Sequence, residues 1–279
     1  MRVKETWCKS ALSKTGLYGF DYALNPYVGC EHNCVYCYAT IMRRYSGHRE
    51  LWGEFVDAKV NAPTVLRDEL KRKGGGKDPR GGNLRGGIYL SSMTDPYQPL
   101  ERKHQITRRC LEVLARYPVP VTVQTKSPLI LRDTSILKKL NCAVGFTITT
   151  LDEEITRTWE PKAPLPGERL GAVHHLTGEG IETFVFFGPL LPFLSDGEDA
   201  ICKVIKAAKR CGASYVLADR LKLYPRVWVR VERLLSQERP ELIPRYRALM
   251  KGDNEYDRRL RSLLLEGARQ YDIDVELCF

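Results

Sequence analysis

Short apolar runs alternate with amphipathic segments through most of the chain. Runs rich in β-branched residues predict the strands of a parallel sheet, and apolar residues at helical spacing predict the helices that cover it. The first strand is short and leads into residues 25–29. The strands that follow are predicted at Ile88–Ser91, Val119–Gln124, Ala143–Thr149, Glu182–Phe187 and Ser214–Leu217. The helices between them are predicted at Thr107–Arg116, Ser135–Leu140, Arg169–Thr177 and Asp199–Cys211.

This alternation predicts an α/β fold. Six strand–helix units in a row favour a partial (β/α)6 TIM-type barrel over a doubly wound sheet, which the same alternation also fits. After Arg220 the strand pattern stops, and the remaining pattern predicts three helices at Arg226–Gln237, Pro240–Leu249 and Tyr256–Tyr271. We therefore expect an irregular N-terminal arm over residues 1–21, the barrel over 22–220 and a helical C-terminal extension over 221–279.

Three cysteines, Cys30, Cys34 and Cys37, lie within eight residues directly after the first strand. A 4Fe–4S cluster normally takes four cysteines, so three thiolates leave one iron open to a substrate or cofactor. Zinc remains an alternative, with His32 as fourth ligand, although no second cysteine pair follows at zinc-ribbon spacing. Disulfides are disfavoured because the nine cysteines are odd in number and irregularly spaced, and because the chain shows no secretory signal.

The net charge of +10 and the pI near 9.1 favour an anionic partner, although a merely solvated basic surface explains the same excess. The middle of the chain is nearly neutral and its two ends are basic. Residues 73–87 combine seven glycines with four basic residues, and this loop either covers a substrate phosphate or acts as a linker. No apolar run reaches the length of a membrane span, so we expect a cytoplasmic protein without membrane contact.

Polar residues follow the predicted strands at the end where parallel barrels place their chemistry. An open iron needs a ligand with an amine and a carboxylate, and Lys126 is placed to pair with the carboxylate. The alternative for Lys126 is a solvated lysine at a strand end, and for the hydroxyl residues it is local capping of the backbone. The hydroxyl candidates for the rest of the ligand are Ser91, Ser92, Thr94, Thr147 and Thr149.

The cysteine spacing CxxxCxΦC, with Tyr36 as its aromatic residue, resembles the motif of radical S-adenosylmethionine (SAM) enzymes. The segments NPYVGCEHNCVYCYA, SSMTDPYQPLE, VQTKSPLILRD and GFTITTLDEEITRTWEPKAP are similar to the spore photoproduct lyase-like branch, also called DNA-repair photolyase-related. The resemblance implies a 4Fe–4S cluster on the three cysteines, with SAM chelated at the open iron. An electron from a donor such as ferredoxin or flavodoxin then yields a 5′-deoxyadenosyl radical, which abstracts hydrogen from the substrate.

The resemblance also implies roles for single residues. Lys126 matches a lysine that contacts the SAM carboxylate, and Thr147 matches a contacting serine. Ser92 or Thr94 lies where the lyase has another contacting serine. Tyr38 is expected against the adenine or the cluster. Apart from these matches, Tyr36, the aromatic residue of the motif, is a further candidate for cofactor binding, and Glu160 is either a turn anchor or a ribose partner.

One departure concerns the hydrogen donor. The lyase has a hydrogen-donating cysteine at the end of its second strand, whereas this chain has no cysteine between Cys37 and Cys110. A serine O–H bond is too strong to replace a thiol, which argues against the same repair mechanism. Three hypotheses follow: radical chemistry on a nucleic acid with the target base flipped out, the same chemistry on a peptide or metabolite, and a non-catalytic Fe–S or zinc protein that binds nucleic acid.

Overall fold

The computed structural model describes residues 1–73, 86–252 and 254–279. The glycine-rich loop predicted at 73–87 lies almost wholly outside the described residues. Within them, no helix is both long enough and apolar enough to cross a membrane.

The strands of the described residues form two sheets. In the larger sheet the order is β11-β10-β9-β8-β7-β6-β3-β2, and every neighbouring pair is parallel except β2 with β3. The smaller sheet has the order β1-β5-β4. The strands are β1 (Arg2–Thr6), β2 (Leu12–Lys14), β3 (Phe20–Leu24), β4 (Tyr27–Val28), β5 (Phe55–Lys59), β6 (Gly87–Leu90), β7 (Val121–Thr125), β8 (Cys142–Ile148), β9 (Glu182–Leu190), β10 (Tyr215–Arg220) and β11 (Asp274–Leu277).

Helices connect the parallel strands and continue beyond them. They are α1 (Arg43–Ser46), α2 (Ala62–Lys73), α3 (Glu101–His104), α4 (Ile106–Leu114), α5 (Thr134–Leu137), α6 (Glu153–Trp159), α7 (Pro166–Gly178), α8 (Glu198–Arg210), α9 (Pro225–Glu238), α10 (Ile243–Leu249) and α11 (Asn254–Tyr271). Short 3₁₀ helices lie at Tyr38–Met42, Pro128–Asp133 and Pro240–Leu242.

The α/β fold predicted from the alternation is confirmed. β3, β6, β7, β8, β9 and β10 correspond to the six predicted strands; they are parallel and lie side by side in chain order, as in a partial TIM-type barrel. Side chains such as Val123, Val144 and Phe146 are fully buried between the sheet and its helices, which is why apolar, β-branched runs form these strands.

The three helices predicted after Arg220 are present, and the structure adds strands at both ends of the chain. The N-terminal arm is not irregular, because β1 pairs in parallel with β5 and β2 pairs antiparallel with β3. The C-terminal extension is not purely helical, because β11 adds a parallel strand beside β10. β1 and β11 are short strands whose residues are mostly exposed or half-buried, so neither carries the apolar run that identifies a buried strand.

Candidate active site

The cysteine loop follows β3 and β4 at the carboxyl end of the parallel sheet, and its backbone is tightly constrained. Gly29 has φ +93°, and a Cβ there would lie 2.3 Å from the carbonyl oxygen of Phe55. Only glycine fits this approach. Asn33 also has positive φ, at 53°, and the amide of Val35 donates to the carbonyl of Trp159 at 2.8 Å. These contacts turn the loop so that Cys30 and Cys34 are buried and Cys37 is half-buried.

The three thiols lie close enough to influence one another. Burial raises the pKa of Cys34 to about 12, against the opposing effect of the Lys126 ammonium. Burial, followed by nearby Asp95 and the other two thiols, raises the pKa of Cys30. A bound cation would replace these protons, since metal ligation deprotonates a thiol outright. Among the described residues, no group of three or more His, Cys, Asp or Glu side chains is arranged to hold a metal ion.

Arg230 of α9 binds the cysteine loop from the far end of the chain. Its guanidinium donates to the carbonyl of Cys34 at 2.9 Å and to the side-chain oxygen of Asn33 at 2.7 Å. α9 also packs its apolar face, including Val227 and Val231, on the side of the loop that carries Cys34. The C-terminal extension therefore fixes the backbone that carries the candidate iron ligands.

A buried polar network lies beside Cys34. The phenol of Tyr36 donates to the carboxylate of Glu160 and lies 3.2 Å from the hydroxyl of Thr149, which itself donates to Glu160 at 2.9 Å. The other oxygen of Glu160 accepts from Arg169, a guanidinium that is only 1% exposed. Burial by itself would raise the pKa of Glu160, but Arg169 and Lys126 lower it to about 2. Glu160 is therefore ionised within the protein.

Lys126 lies at the end of β7 and points into this network. Its ammonium is 3.9 Å from the nearer oxygen of Glu160 and 5.6 Å from the centre of the Tyr36 ring. The side chain is 14% exposed. It thus combines a fixed positive charge with access to the space at the strand ends.

Asp95 connects the strand end of Lys126 to the cysteine loop. Its carboxylate accepts from the amide of Lys126 at 2.8 Å and the hydroxyl of Thr125 at 2.7 Å, and it lies 3.4 Å from Nδ1 of His32. Burial favours a higher pKa for Asp95, but His32 and these hydrogen bonds lower it to about 2. Asp95 therefore holds the backbone of Lys126 while its carboxylate lies against His32 of the cysteine loop.

Four further predicted residues make hydrogen bonds near the ends of the strands. Thr94 donates to the carbonyl of Gly29 at 2.6 Å, and the hydroxyl of Thr147 accepts from the side-chain amide of Gln124 at 3.0 Å. The phenol of Tyr38 donates to the carbonyl of Ser92. The structure thus brings all eight predicted cofactor-binding residues to the strand ends, while their roles toward a cofactor stay predictions.

Sequence reasoning missed Arg169, Arg230 and the role of Asp95. Asp95 carried a signal, since it lies inside the motif segment that follows the second predicted strand. No sequence signal pointed to Arg169 or Arg230. The chain has many basic residues on amphipathic helices, and only tertiary packing shows which of these residues are buried.

Comparison with known proteins identifies the family of this fold. A model of the radical SAM superfamily matches residues 24–205. An uncharacterized protein of Methanocaldococcus jannaschii is 31% identical over 68% of this chain and 68% of its own length. An uncharacterized protein of Mycobacterium bovis is 29% identical over 88% of this chain and 73% of its own.

Two solved structures share the fold. A spore photoproduct lyase complexed with dinucleoside spore photoproduct superposes with a TM-score of 0.75 and 13% identity, covering 99% of this chain and 82% of the lyase. Streptococcus suis SuiB bound to the precursor peptide SuiA superposes with a TM-score of 0.57 and 13% identity, covering 91% of this chain and 48% of SuiB. At these identities the likeness concerns the fold alone.

Proposed function

The chain belongs to the radical SAM superfamily, whose enzymes use a 4Fe–4S cluster and SAM, and we propose that it applies this chemistry to a nucleic acid. When bound, these cofactors supply a 5′-deoxyadenosyl radical that abstracts a hydrogen atom from the substrate. Because members of this superfamily are enzymes, the hypothesis of a non-catalytic binding protein is rejected.

The observation that carries the assignment of residues is the position of Lys126 beside the cysteine loop. Three soft thiols from one loop suit an iron–sulfur cluster, and no fourth cysteine competes for the open iron in the loop itself. We assign Cys30, Cys34 and Cys37 to the cluster and Lys126 to the SAM carboxylate, since its ammonium is charged and accessible.

The other side chains shape and close the space around the cofactors. Tyr36 and Glu160 form a wall whose hydrogen bonds are already satisfied within the protein, so Glu160 serves chiefly to hold Tyr36 and Lys126 in place. We assign Thr147, Thr149, Ser92 and Thr94 to hydrogen bonds with SAM, and Tyr38 to its adenine or the cluster. A ferredoxin or flavodoxin is the proposed electron donor.

A nucleic acid is the proposed substrate because two independent features favour it. The net charge is +10, which attracts a polyanion. The spore photoproduct lyase that shares this fold over 99% of the chain is itself complexed with a dinucleoside spore photoproduct. A base in a duplex would have to leave the stack to reach a radical at the mouth of the barrel. A peptide is the second candidate, favoured by the fold match to SuiB with its precursor peptide.

The experiment is anaerobic incubation of reconstituted protein with SAM, a strong reductant and deuterated DNA, RNA or peptide. Deuterium that appears in 5′-deoxyadenosine from a nucleic acid, and not from the peptides, supports the proposal. Deuterium transfer from the peptide alone would show that the proposed nucleic-acid substrate is wrong, while the proposed radical chemistry would still hold. The variant Lys126→Met should weaken SAM binding, and Lys139→Met, an exposed lysine far from the site, is its matched control.

A further inference from the structure

A row of exposed apolar side chains begins directly after the last cysteine of the loop. Tyr38, Ile41 and Tyr45 are 54%, 39% and 76% exposed, although side chains of this kind are usually buried. They belong to the 3₁₀ helix Tyr38–Met42 and to α1, which continues it. Spacings of three and four residues place them on one side of this helical segment. The Tyr38 ring is held in place by its bond to the Ser92 carbonyl.

α9 packs against the 3₁₀ helix of this segment and carries further exposed side chains. Tyr224, directly before α9, is 55% exposed, and Val229 is 63% exposed. Arg226 and Arg233 lie on the same side of α9 as Val229, at spacings of three and four, and both are exposed. We call the surface formed by Tyr38, Ile41, Arg44, Tyr45, Tyr224, Arg226, Val229 and Arg233 the aromatic–basic face.

The positive charges of the aromatic–basic face are not neutralised by the protein. Glu232, the acidic residue of this part of α9, is paired with Arg247 at 2.6 Å. Within residues 1–73, 86–252 and 254–279, Arg44, Arg226 and Arg233 form no ion pair. Exposed arginines beside exposed tyrosines offer phosphate contacts next to flat stacking surfaces.

We propose that the aromatic–basic face binds an unpaired stretch of the nucleic-acid substrate, with bases stacked on Tyr45 and Tyr224 and phosphates on Arg226 and Arg233. This proposal rests on the proposed function, because it supplies a binding surface for the substrate strand that begins at Tyr38, one residue after the last cysteine of the loop. Unpaired strands fit better than a duplex, since only unstacked bases present their faces to a tyrosine ring. An acidic peptide would use the arginines without needing the aromatic rings.

The test measures binding of labelled single-stranded DNA, single-stranded RNA, duplex DNA and an acidic peptide to the cluster-loaded full chain, by fluorescence anisotropy without SAM. We expect single strands to bind more tightly than the duplex. Tyr45→Ala and Tyr224→Ala should each weaken single-strand binding about tenfold, while Tyr45→Phe, which keeps the ring, should bind like the unchanged chain. Arg226→Ala should also make binding less dependent on salt.

The controls lie at the opposite, amino-terminal ends of the strands. Tyr18→Ala removes a tyrosine that is 98% exposed between β2 and β3, and Arg116→Ala removes an exposed arginine that precedes β7. The proposal would be overturned if these controls weakened single-strand binding as much as the tyrosine variants do, or if Tyr45→Phe weakened it. It would also be overturned if the acidic peptide bound more tightly than the single strands, or if no single strand bound. Single-strand binding through this face without deuterium transfer from any nucleic acid would instead overturn the proposed substrate alone.

Discussion

At the scale of single residues, the candidate site depends on charges that are buried and paired. Glu160 and Arg169 are each about 1% exposed in their side chains, and their contact supports both Tyr36 and Lys126. Removing one partner of such a pair leaves a buried charge without compensation, which costs far more than the net value of the pair.

The substitution Glu160→Gln should therefore lower the free energy of unfolding by about 3 to 5 kcal/mol, because the Arg169 guanidinium loses its counter-charge. Urea denaturation measures this loss. Glu153→Gln is the matched control, since its pair with Arg157 is exposed and should contribute less than about 1 kcal/mol. Equal effects of the two substitutions would show that Glu160 is not structurally critical.

The substitution Cys34→Ala should abolish stable cluster binding, because two thiolates in this loop cannot hold the cluster. Anaerobic reconstitution should yield about four irons per unchanged chain and few in the variant, counted by iron analysis. Cys202→Ala, on α8 and away from the loop, should load normally. A Cys34→Ala chain that retained its iron would remove Cys34 from the ligand set.

The residues of this site differ in how far sequence could find them. The cysteines and Lys126 were predictable, because the spacing of thiols and the position of a polar residue after a strand are properties of the chain itself. Arg169 was not, because its importance comes from burial against Glu160, and burial of one arginine has no local signal.

At the scale of elements, α9 holds the cysteine loop in position. Its buried face packs on the loop, and Arg230 makes bonds of 2.9 and 2.7 Å to the loop backbone and Asn33. The helix itself was predicted from its periodicity, within one residue at each end. Its contact with the loop was not predicted, since pairing between distant segments depends on the complete fold.

The substitution Arg230→Lys should loosen the loop while keeping the charge, because an ammonium cannot reproduce the forked contacts of a guanidinium. Losing one bond to a charged group weakens the closed loop by about 1.5 kcal/mol or more. We therefore expect iron to transfer to a chelator about tenfold faster than in the unchanged chain. Arg239→Lys, at the exposed end of α9, should leave the rate unchanged, and equal rates in all three proteins would contradict this role.

At the scale of the whole molecule, the six parallel strands were predictable and the added edge strands were not. Strands buried on both faces need continuous apolar runs, whereas β11 alternates exposed residues with half-buried ones. β11 nevertheless pairs with β10 over four residues, and the ring of Phe279 lies against Arg261 of α11 at 4.9 Å.

A chain that ends at Tyr271 should accordingly unfold at lower denaturant concentration, because β10 becomes an unpaired edge and half-buried Val275 and Leu277 lose their contacts. Its midpoint in urea measures the effect, with aggregation followed by light scattering. The double substitution Asp274→Asn and Glu276→Gln keeps the backbone pairing and is the control. If truncation left the midpoint unchanged, β11 would contribute nothing to the stability of the sheet.

The contact between Arg230 and Cys34 also has a consequence for biosynthesis. The two residues are separated by 196 positions. At the usual rate of translation, about 10 to 40 s pass between their synthesis. During that interval the thiols lie on a loop that still lacks its contacts with Arg230. We therefore expect iron loading to be completed only after translation, and ribosome-bound chains stalled before Arg230 should lose iron to a chelator far faster than released chains.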